Sequence, residues 1–422
     1  MKLYNRTFQV ALKYGCYFLP IRSALILNNY SDIITKINTK KKVFLITDET
    51  ILSLGLTNEL ENTLKDNNVE YTIYSSVLAN PTISNIEDAF SIYRNNNCHS
   101  IIALGGGSVL DLAKMVAVKG RTPNRSIKSM KGILRIILPT KPVIAIPTTS
   151  GTGSETTLAA VVTDDFTHEK YAIIDPALTP HYTLLKPELT TGLPKSLTAY
   201  TGLDALTHAI ESYIGRSNTR QTKKDALKAM LLIKDNLVKA CNEPENLEYR
   251  MNMLTASYLA GKAFTRAFVG SVHSLAHALG GLYNLQHGLL NAIILPRVLN
   301  EYGESIYKKM GEIYDYLDLG NANNCLKGRM NRTYKYLNLK TATLDNQAKT
   351  KVVINWVLAL NEELNIPSKI NEIKVSDLDL LASRAEKETN PLYPVPVIWK
   401  KSTFKNILIS VMERTNDMPY SI

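Results

Sequence analysis

The chain has 422 residues, of which 45% are hydrophobic and 21% charged, the balance of an ordinary globular protein and not of a disordered or fibrous one. That length exceeds one small core and predicts two domains, or one large α/β unit with a helical partner. The formal charge of +11 does not mark a nucleic-acid binder, because Lys and Arg are interspersed with Asp and Glu and no aromatic-interleaved basic stripe occurs.

The densest basic stretch, Lys119 to Lys141, reads as an excursion loop or connecting helix with a weak attraction for an anionic cofactor or partner. Cys16, Cys98, Cys241 and Cys325 stand apart, without a CxxC pair or a signal peptide, so reduced thiols in a cytoplasmic protein are expected. No apolar run reaches the roughly 18 residues that span a bilayer, and no membrane form is expected.

In chain order, Tyr17-Phe18-Leu19-Pro20 predicts an early edge strand or hairpin. Lys42 to Asp48 then reads as a buried parallel strand ending on an acid. A helix to about Asn67, a strand Glu70 to Tyr74, the loop Asn80-Pro81-Thr82, a helix to about Asn95 and a strand Ser100 to Leu104 follow. This alternation predicts an α/β fold with a doubly wound parallel sheet, whose ligand sits at the carboxyl edge of the strands.

Two loops at that edge have the composition of a dinucleotide cradle. Gly105-Gly106-Gly107-Ser108 leads into a helix containing Asp111 and Lys114, so backbone N–H groups and the helix N-terminus can approach a phosphate. It is not the GxGxxG fingerprint, and a glycine-rich tight turn without a ligand is the simpler alternative. After a buried strand Val143 to Ile146 comes Pro147-Thr148-Thr149-Ser150-Gly151-Thr152-Gly153-Ser154-Glu155, whose hydroxyls can bond phosphates and ribose. Asp48 can accept from an adenosine ribose diol and repel a 2′-phosphate, favouring NAD over NADP; as a helix N-cap it would serve structure alone.

Beyond Asp175-Pro176 the chain is Pro- and Gly-punctuated, and a domain boundary is expected near Leu193, separating an α/β domain (1–193) from an all-helical one (194–422). Helical patterns run over 196–214, 222–241, 246–279, 287–302 and 347–363, with an extended Pro-rich segment Asn390 to Trp399 before a last helix, 402–414. Three of seven histidines, His273, His277 and His287, fall within fifteen positions, with Gly280-Gly281 as a helix stop between them. His273 and His277 share a helix face, and Asp204 and His208 repeat that four-residue spacing. One buried histidine is usually just hydrogen-bonded; this set suits a divalent metal such as iron or zinc. A cleft between the two halves would hold metal and dinucleotide together.

The motifs around Gly105 to Lys114, Pro147 to Glu155, Thr201 to Glu211 and His273 to Pro296 together resemble the iron-containing, group III alcohol dehydrogenases, in the same order along the chain. The resemblance implies a metal-dependent, NAD(P)-linked alcohol dehydrogenase or aldehyde reductase acting on a small primary alcohol or aldehyde, and a homodimer or higher homo-oligomer. It implies Asp204, His208, His273 and His287 as ligands of Fe(II), or in some members zinc. Asp48, Asn80, Gly106, Gly107, Ser108, Thr148, Thr149, Thr152, Thr157 and Lys170 are implied as contacts of the nicotinamide cofactor. His277 matches a histidine near the metal and is the candidate catalytic proton relay, with packing or support of a ligand as its alternative. Lys186-Pro187 and Ala159 depart from the family pattern, which bears on substrate and not on reaction class. Glycerol dehydrogenase and dehydroquinate synthase share the two-domain plan, but the Asp204/His208 spacing and the fourteen-residue His pair argue against them. A non-catalytic scaffold of the same fold is the remaining alternative.

Overall fold

The computed structural model describes residues 2–18, 21–136, 139–167, 169–320 and 344–413. The chain opens with helix α1 (Lys2–Phe18), so the expected strand at Tyr17-Phe18 is a helix end, and Leu19 and Pro20 lie outside the described residues. The edge strand comes later, as β1 (Leu25–Leu27). Tertiary bonds favour the helix over the aromatic β-propensity: the Arg6 guanidinium donates to the carbonyls of Val395 and Pro396, and Gln9 Nε2 to that of Tyr393.

After α2 (Tyr30–Ile34) the alternation follows expectation: β2 (Val43–Ile46), α3 (Glu49–Ser53), α4 (Asn58–Asp66), β3 (Tyr71–Tyr74), α5 (Ile83–Asn95), β4 (Ser100–Gly105) and α6 (Gly107–Lys119). The single helix expected up to Asn67 is two, parted at Gly55, whose φ of +67° a side chain would resist. All four β2 residues are buried, and at about 1.5–3 kcal/mol per large apolar side chain they contribute roughly 6–12 kcal/mol gross. That rivals the net stability of a domain, which is why so short a run anchors the sheet.

Six parallel strands form this sheet, in the order β1, β9 (Tyr182–Leu184), β6 (Val143–Pro147), β4, β2, β3. A second sheet was not foreseen: β5 (Gly132–Ile133) pairs parallel with β8 (Lys170–Ile174), which pairs antiparallel with β7 (Ala159–Thr163). The basic stretch 119–141 thus contributes β5, with Ile137 and Leu138 outside the described residues.

From Pro194 on, the described elements are helices: α7 (Lys195–Ile214), α8 (Arg220–Asn242), α9 (Leu247–Ala267), α10 (Ser271–Tyr283), α11 (His287–Tyr302), α12 (Tyr307–Tyr316), α13 (Asn346–Glu363), α14 (Leu378–Thr389) and α15 (Lys401–Val411). The expected helix 246–279 is broken at Phe268, whose φ is +64°. Gly280-Gly281 does not stop its helix, which runs to Asn284 at φ +54°, a left-handed C-cap. Among the described residues no helix is long and apolar enough to cross a membrane. Cys98 and Cys241 are free and buried; the side chain of Cys16 and all of Cys325 fall outside what is described.

Candidate active site

One register fixes the sheet side of the site. Gly105 of β4 lies opposite Pro147 of β6, so both polar loops leave neighbouring strands at the same carboxyl edge. Lys114, fully buried on α6, ties them together: its ammonium donates to Ser154 Oγ at 2.7 Å, Thr157 Oγ1 at 3.0 Å and the Ala159 carbonyl at 2.8 Å. Burial lowers the Lys114 pKa while Asp111 and Glu155 oppose that shift. Asp111 accepts from the Ser154 hydroxyl at 2.6 Å and the Val161 amide at 2.9 Å. The second loop is therefore bolted to the helix that begins at the first. Gly153 takes φ +60° against the backbone of Gly261 on α9, a contact with no room for a side chain.

Asp48 caps α3, its Oδ1 accepting from the Ile51 amide at 2.9 Å, so the capping alternative is realised. It also faces the cleft. Lys170 of β8 donates to Asn80 Oδ1 at 3.0 Å, and Asn80 Nδ2 donates across the cleft to Asn284 Oδ1 at 2.9 Å.

On the helical side, Asp204 and His208 lie one turn apart on α7, His273 in the first turn of α10, and His287 at the start of α11. Asp204 Oδ1 stands 3.9 Å from His208 Nδ1, 3.7 Å from His273 Nε2 and 3.6 Å from His287 Nε2. These separations exceed a hydrogen bond and approach the roughly 3.4 Å between ligand atoms of a tetrahedral centre with bonds of about 2.1 Å. Asp204, His208 and His273 form the tightest group, with one ligand atom each within 4.8 Å of the others.

The electrostatics suit a cation. Burial lowers His208 to about 3 and His287 well below its usual value, so both rings keep their lone pairs at neutral pH. Burial pushes the Asp204 carboxyl up, but His208, His287 and His273 outweigh it and hold it well below the carboxylate range. Burial also lowers His273, yet the adjacent carboxylates of Asp204 and Glu211, the latter hydrogen-bonded to it, raise it to about 9, so this corner of the site favours positive charge. His208 Nδ1 is buried without a hydrogen-bond partner among the described residues, which a metal ligand would explain. The donor set fits a divalent ion.

Glu211, Asn291 and Glu388 join this site without having been singled out as functional from the sequence. Glu211 is buried one turn beyond His208, and its Oε2 accepts from His273 Nδ1 at 2.6 Å and the Gly270 amide at 2.8 Å. Its Oε1 accepts from the Val272 amide at 2.8 Å. The same carboxylate thus caps α10, which lacks a side-chain cap of its own, and orients His273. Spacing could have revealed it, since Asp204, His208 and Glu211 share a helix face. Asn291, four after His287, donates to Asp204 Oδ1 at 2.7 Å. Gly288 sits against the Tyr200 carbonyl, where only a glycine lets α11 approach α7 closely enough for His287 to reach Asp204.

His277 stacks on His287 at 5.0 Å between ring centres, and its Nδ1 meets Glu388 Oε1 at 2.6 Å. All fifteen residues expected at the site line one cleft of about 1210 Å³, with the histidines on its helical side and the polar loops on its sheet side.

Comparison with known proteins identifies the family. Residues 24–187 match the iron-containing alcohol dehydrogenase family, and residues 198–412 match that family's C-terminal part. Alcohol dehydrogenase 4 of Saccharomyces cerevisiae is 34% identical over 360 residues, spanning 83% of this chain and 87% of the yeast one. The NAD-dependent methanol dehydrogenase of Bacillus methanolicus is 35% identical over 284 residues, 67% of this chain and 74% of the bacterial one. A solved structure of 1,3-propanediol oxidoreductase superposes with a TM-score of 0.82 at 28% identity, covering 93% of this chain and 98% of its own. With both of its halves matched in sequence and its fold matched over 93% of its length, the chain belongs to the iron-containing alcohol dehydrogenase family.

Proposed function

We propose that the chain moves a hydride between NAD and a small primary alcohol or aldehyde, with Asp204, His208, His273 and His287 holding one Fe(II) or, alternatively, zinc. The observation that carries this reading is the single cleft with a carboxylate and three imidazoles on one wall and two glycine- and threonine-rich loops on the other. Bound there, the cation would supply Lewis acidity toward the substrate oxygen, and NAD would supply the hydride acceptor.

The chain's own residues set up that encounter. Backbone N–H groups of Gly106, Gly107 and Ser108 at the start of α6 suit the pyrophosphate, and the hydroxyls of Thr148, Thr149 and Thr152 add further donors. Thr157 supports the loop through Lys114, and Lys170 with Asn80 closes the cleft side. Asp48 keeps its cap through Oδ1, which leaves Oδ2 for a ribose diol and favours NAD over NADP. The likeness to an NAD-dependent methanol dehydrogenase supports the same preference. Glu211 holds His273 in the tautomer with Nε2 toward Asp204. His277, on the cleft wall, takes the proton of the alcohol or returns it to the aldehyde.

We place the division between an α/β unit and a helical unit at Leu193, after which strands give way to helices. Exposed Leu25 and Ile26 on the edge strand β1, at 63% and 52% accessibility, support self-association as a homodimer. Free buried Cys98 and Cys241 support a reducing, cytoplasmic setting.

The test is an aldehyde and alcohol panel, glycerol included, on anaerobically iron-loaded protein with NADH, NADPH and their oxidised forms. Iron-dependent turnover of a short aldehyde with NADH is the expected result. Turnover that survives removal of all metal would contradict the reading, and a preference for glycerol would favour a polyol enzyme.

A further inference from the structure

The helical wall carries a hydrogen-bonded group that lies beyond the metal ligands. Glu388 stands near the C-terminus of α14, and Tyr393 follows five residues later in the extended segment. A single carboxylate oxygen, Glu388 Oε1, meets His277 Nδ1 at 2.6 Å and accepts from the Tyr393 hydroxyl at 2.7 Å. His277 and Tyr393 both line the cleft, and Glu388 sits behind them. Glu388 meets the cleft wall through these two hydrogen bonds, and its charge also reaches Lys170 on the sheet side.

The chemistry of these groups leaves one arrangement of hydrogens. An ionised carboxylate only accepts, so the hydrogen between it and His277 sits on Nδ1, and whenever the ring is neutral the lone pair is on Nε2. The ring plane is fixed separately. His277 stacks on His287 at an interplanar angle of 16° and meets His273 edge-on at 6.1 Å. Tyr393 is buried to 3% accessibility, and its carbonyl is held by Gln9 Nε2 at 2.7 Å from α1. The acceptor oxygen is thus shared with a buried residue that is itself held at its carbonyl.

We propose that Glu388 is a positioning residue, which holds His277 in the Nδ1–H tautomer so that Nε2 is the nitrogen offered to the cleft, with Tyr393 bracing the shared oxygen. The inference rests on the alcohol dehydrogenase reading, in which His277 moves the proton. It gives the Glu388 carboxylate a role beside a cleft already rich in charge: without it the ring is free to take the opposite tautomer, whose Nε2 can no longer accept a proton.

Three full-length variants test this. Glu388→Leu removes both hydrogen bonds, Glu388→Gln keeps an oxygen able to accept both, and Tyr393→Phe removes the brace alone. In zinc-loaded protein labelled with 15N-histidine, long-range 15N–1H correlations report the His277 tautomer, with His277→Asn identifying its signal. Wild type and Glu388→Gln are expected to show Nδ1–H, and Glu388→Leu to lose that signature. With iron bound and metal content equal to wild type, Glu388→Leu should lower kcat about 10–100-fold with KM changed by less than ~3-fold. Glu388→Gln should recover at least part of that loss, and Tyr393→Phe should lose less than Glu388→Leu. A Leu variant that keeps both the Nδ1–H signature and wild-type kcat overturns the proposal, as does a kcat loss accounted for by missing metal. If the wild type itself turns over no alcohol or aldehyde, the functional reading fails while the tautomer comparison still decides the role of Glu388.

Discussion

On the helical wall of the cleft, Asp204, His208 and His273 are buried, and two of the three are held by a dedicated partner, Asn291 for Asp204 and Glu211 for His273. On the sheet wall, Asp48, Asn80, Ser108, Thr149, Thr152 and Lys170 are partly exposed, and Asp48, Asn80 and Lys170 serve local structure at the same time, as a helix cap or a bridge between loops. The helical wall concentrates its function in few groups with no substitutes, because a buried charge or lone pair left without its partner costs about 1–3 kcal/mol or more. The sheet wall would spread its proposed cofactor contacts over backbone amides and hydroxyls, so the loss of one would be shared by the rest. Substitutions should therefore act in an all-or-none way on one wall and by degrees on the other.

The largest effect belongs to the proposed metal ligands. His273→Ala is expected to lose bound metal and turnover while circular dichroism shows a folded chain; full metal and full turnover would remove His273 from the site. Next comes Glu211→Ala, which leaves two amides and a ring nitrogen without their acceptor. It should weaken metal binding about 10–100-fold and lower stability by roughly 2–4 kcal/mol, read by metal titration and thermal unfolding. An unchanged metal affinity would show that α10 is oriented by packing alone.

The sheet wall should respond more mildly. Asp48→Gly costs only a few tenths of a kcal/mol as a cap, since glycine is tolerated there, so its effect isolates the ribose contact. The NADP to NAD preference should rise while the melting temperature barely moves; an unchanged ratio would leave Asp48 as a cap only. The smallest effect concerns Glu155, in the second loop, whose carboxyl burial pushes up to about 7 from an ordinary 4.5. A raised carboxyl favours the folded state fully below pH 4.5, and that contribution is lost as the pH climbs through 7. Wild type should therefore lose more stability than Glu155→Gln between pH 5 and pH 8, and parallel unfolding curves would contradict this.

How much of this contrast could be read in the sequence follows from the same physics. Parallel strands buried on both faces leave unbroken apolar runs, and β2, β4 and β6 were legible for that reason. The cluster proposed to hold the metal stood out because histidine is scarce and its members recur at helical spacing. The break between α9 and α10 was not, since the carboxylate that stabilises it comes from Glu211, 59 residues before Gly270. Helix α1 was misread because the Val395, Pro396 and Tyr393 carbonyls that anchor it lie at the far end of the chain. Glu388 left no local signal at all, its partner His277 being 111 residues away. Local pattern recorded what each segment buries; partners supplied by distant segments were visible only once the chain was folded.

Asp204, His208, His273 and His287 are proposed to hold one divalent cation on which turnover depends. Anaerobic titration of Fe(II) into metal-free wild type and Asp204→Ala, followed by NADH oxidation at each step, tests it directly. The expected result is saturation at one iron per wild-type chain with activity rising in proportion, and neither tight binding nor activity in the variant. Equal iron uptake and equal turnover by Asp204→Ala would contradict the account.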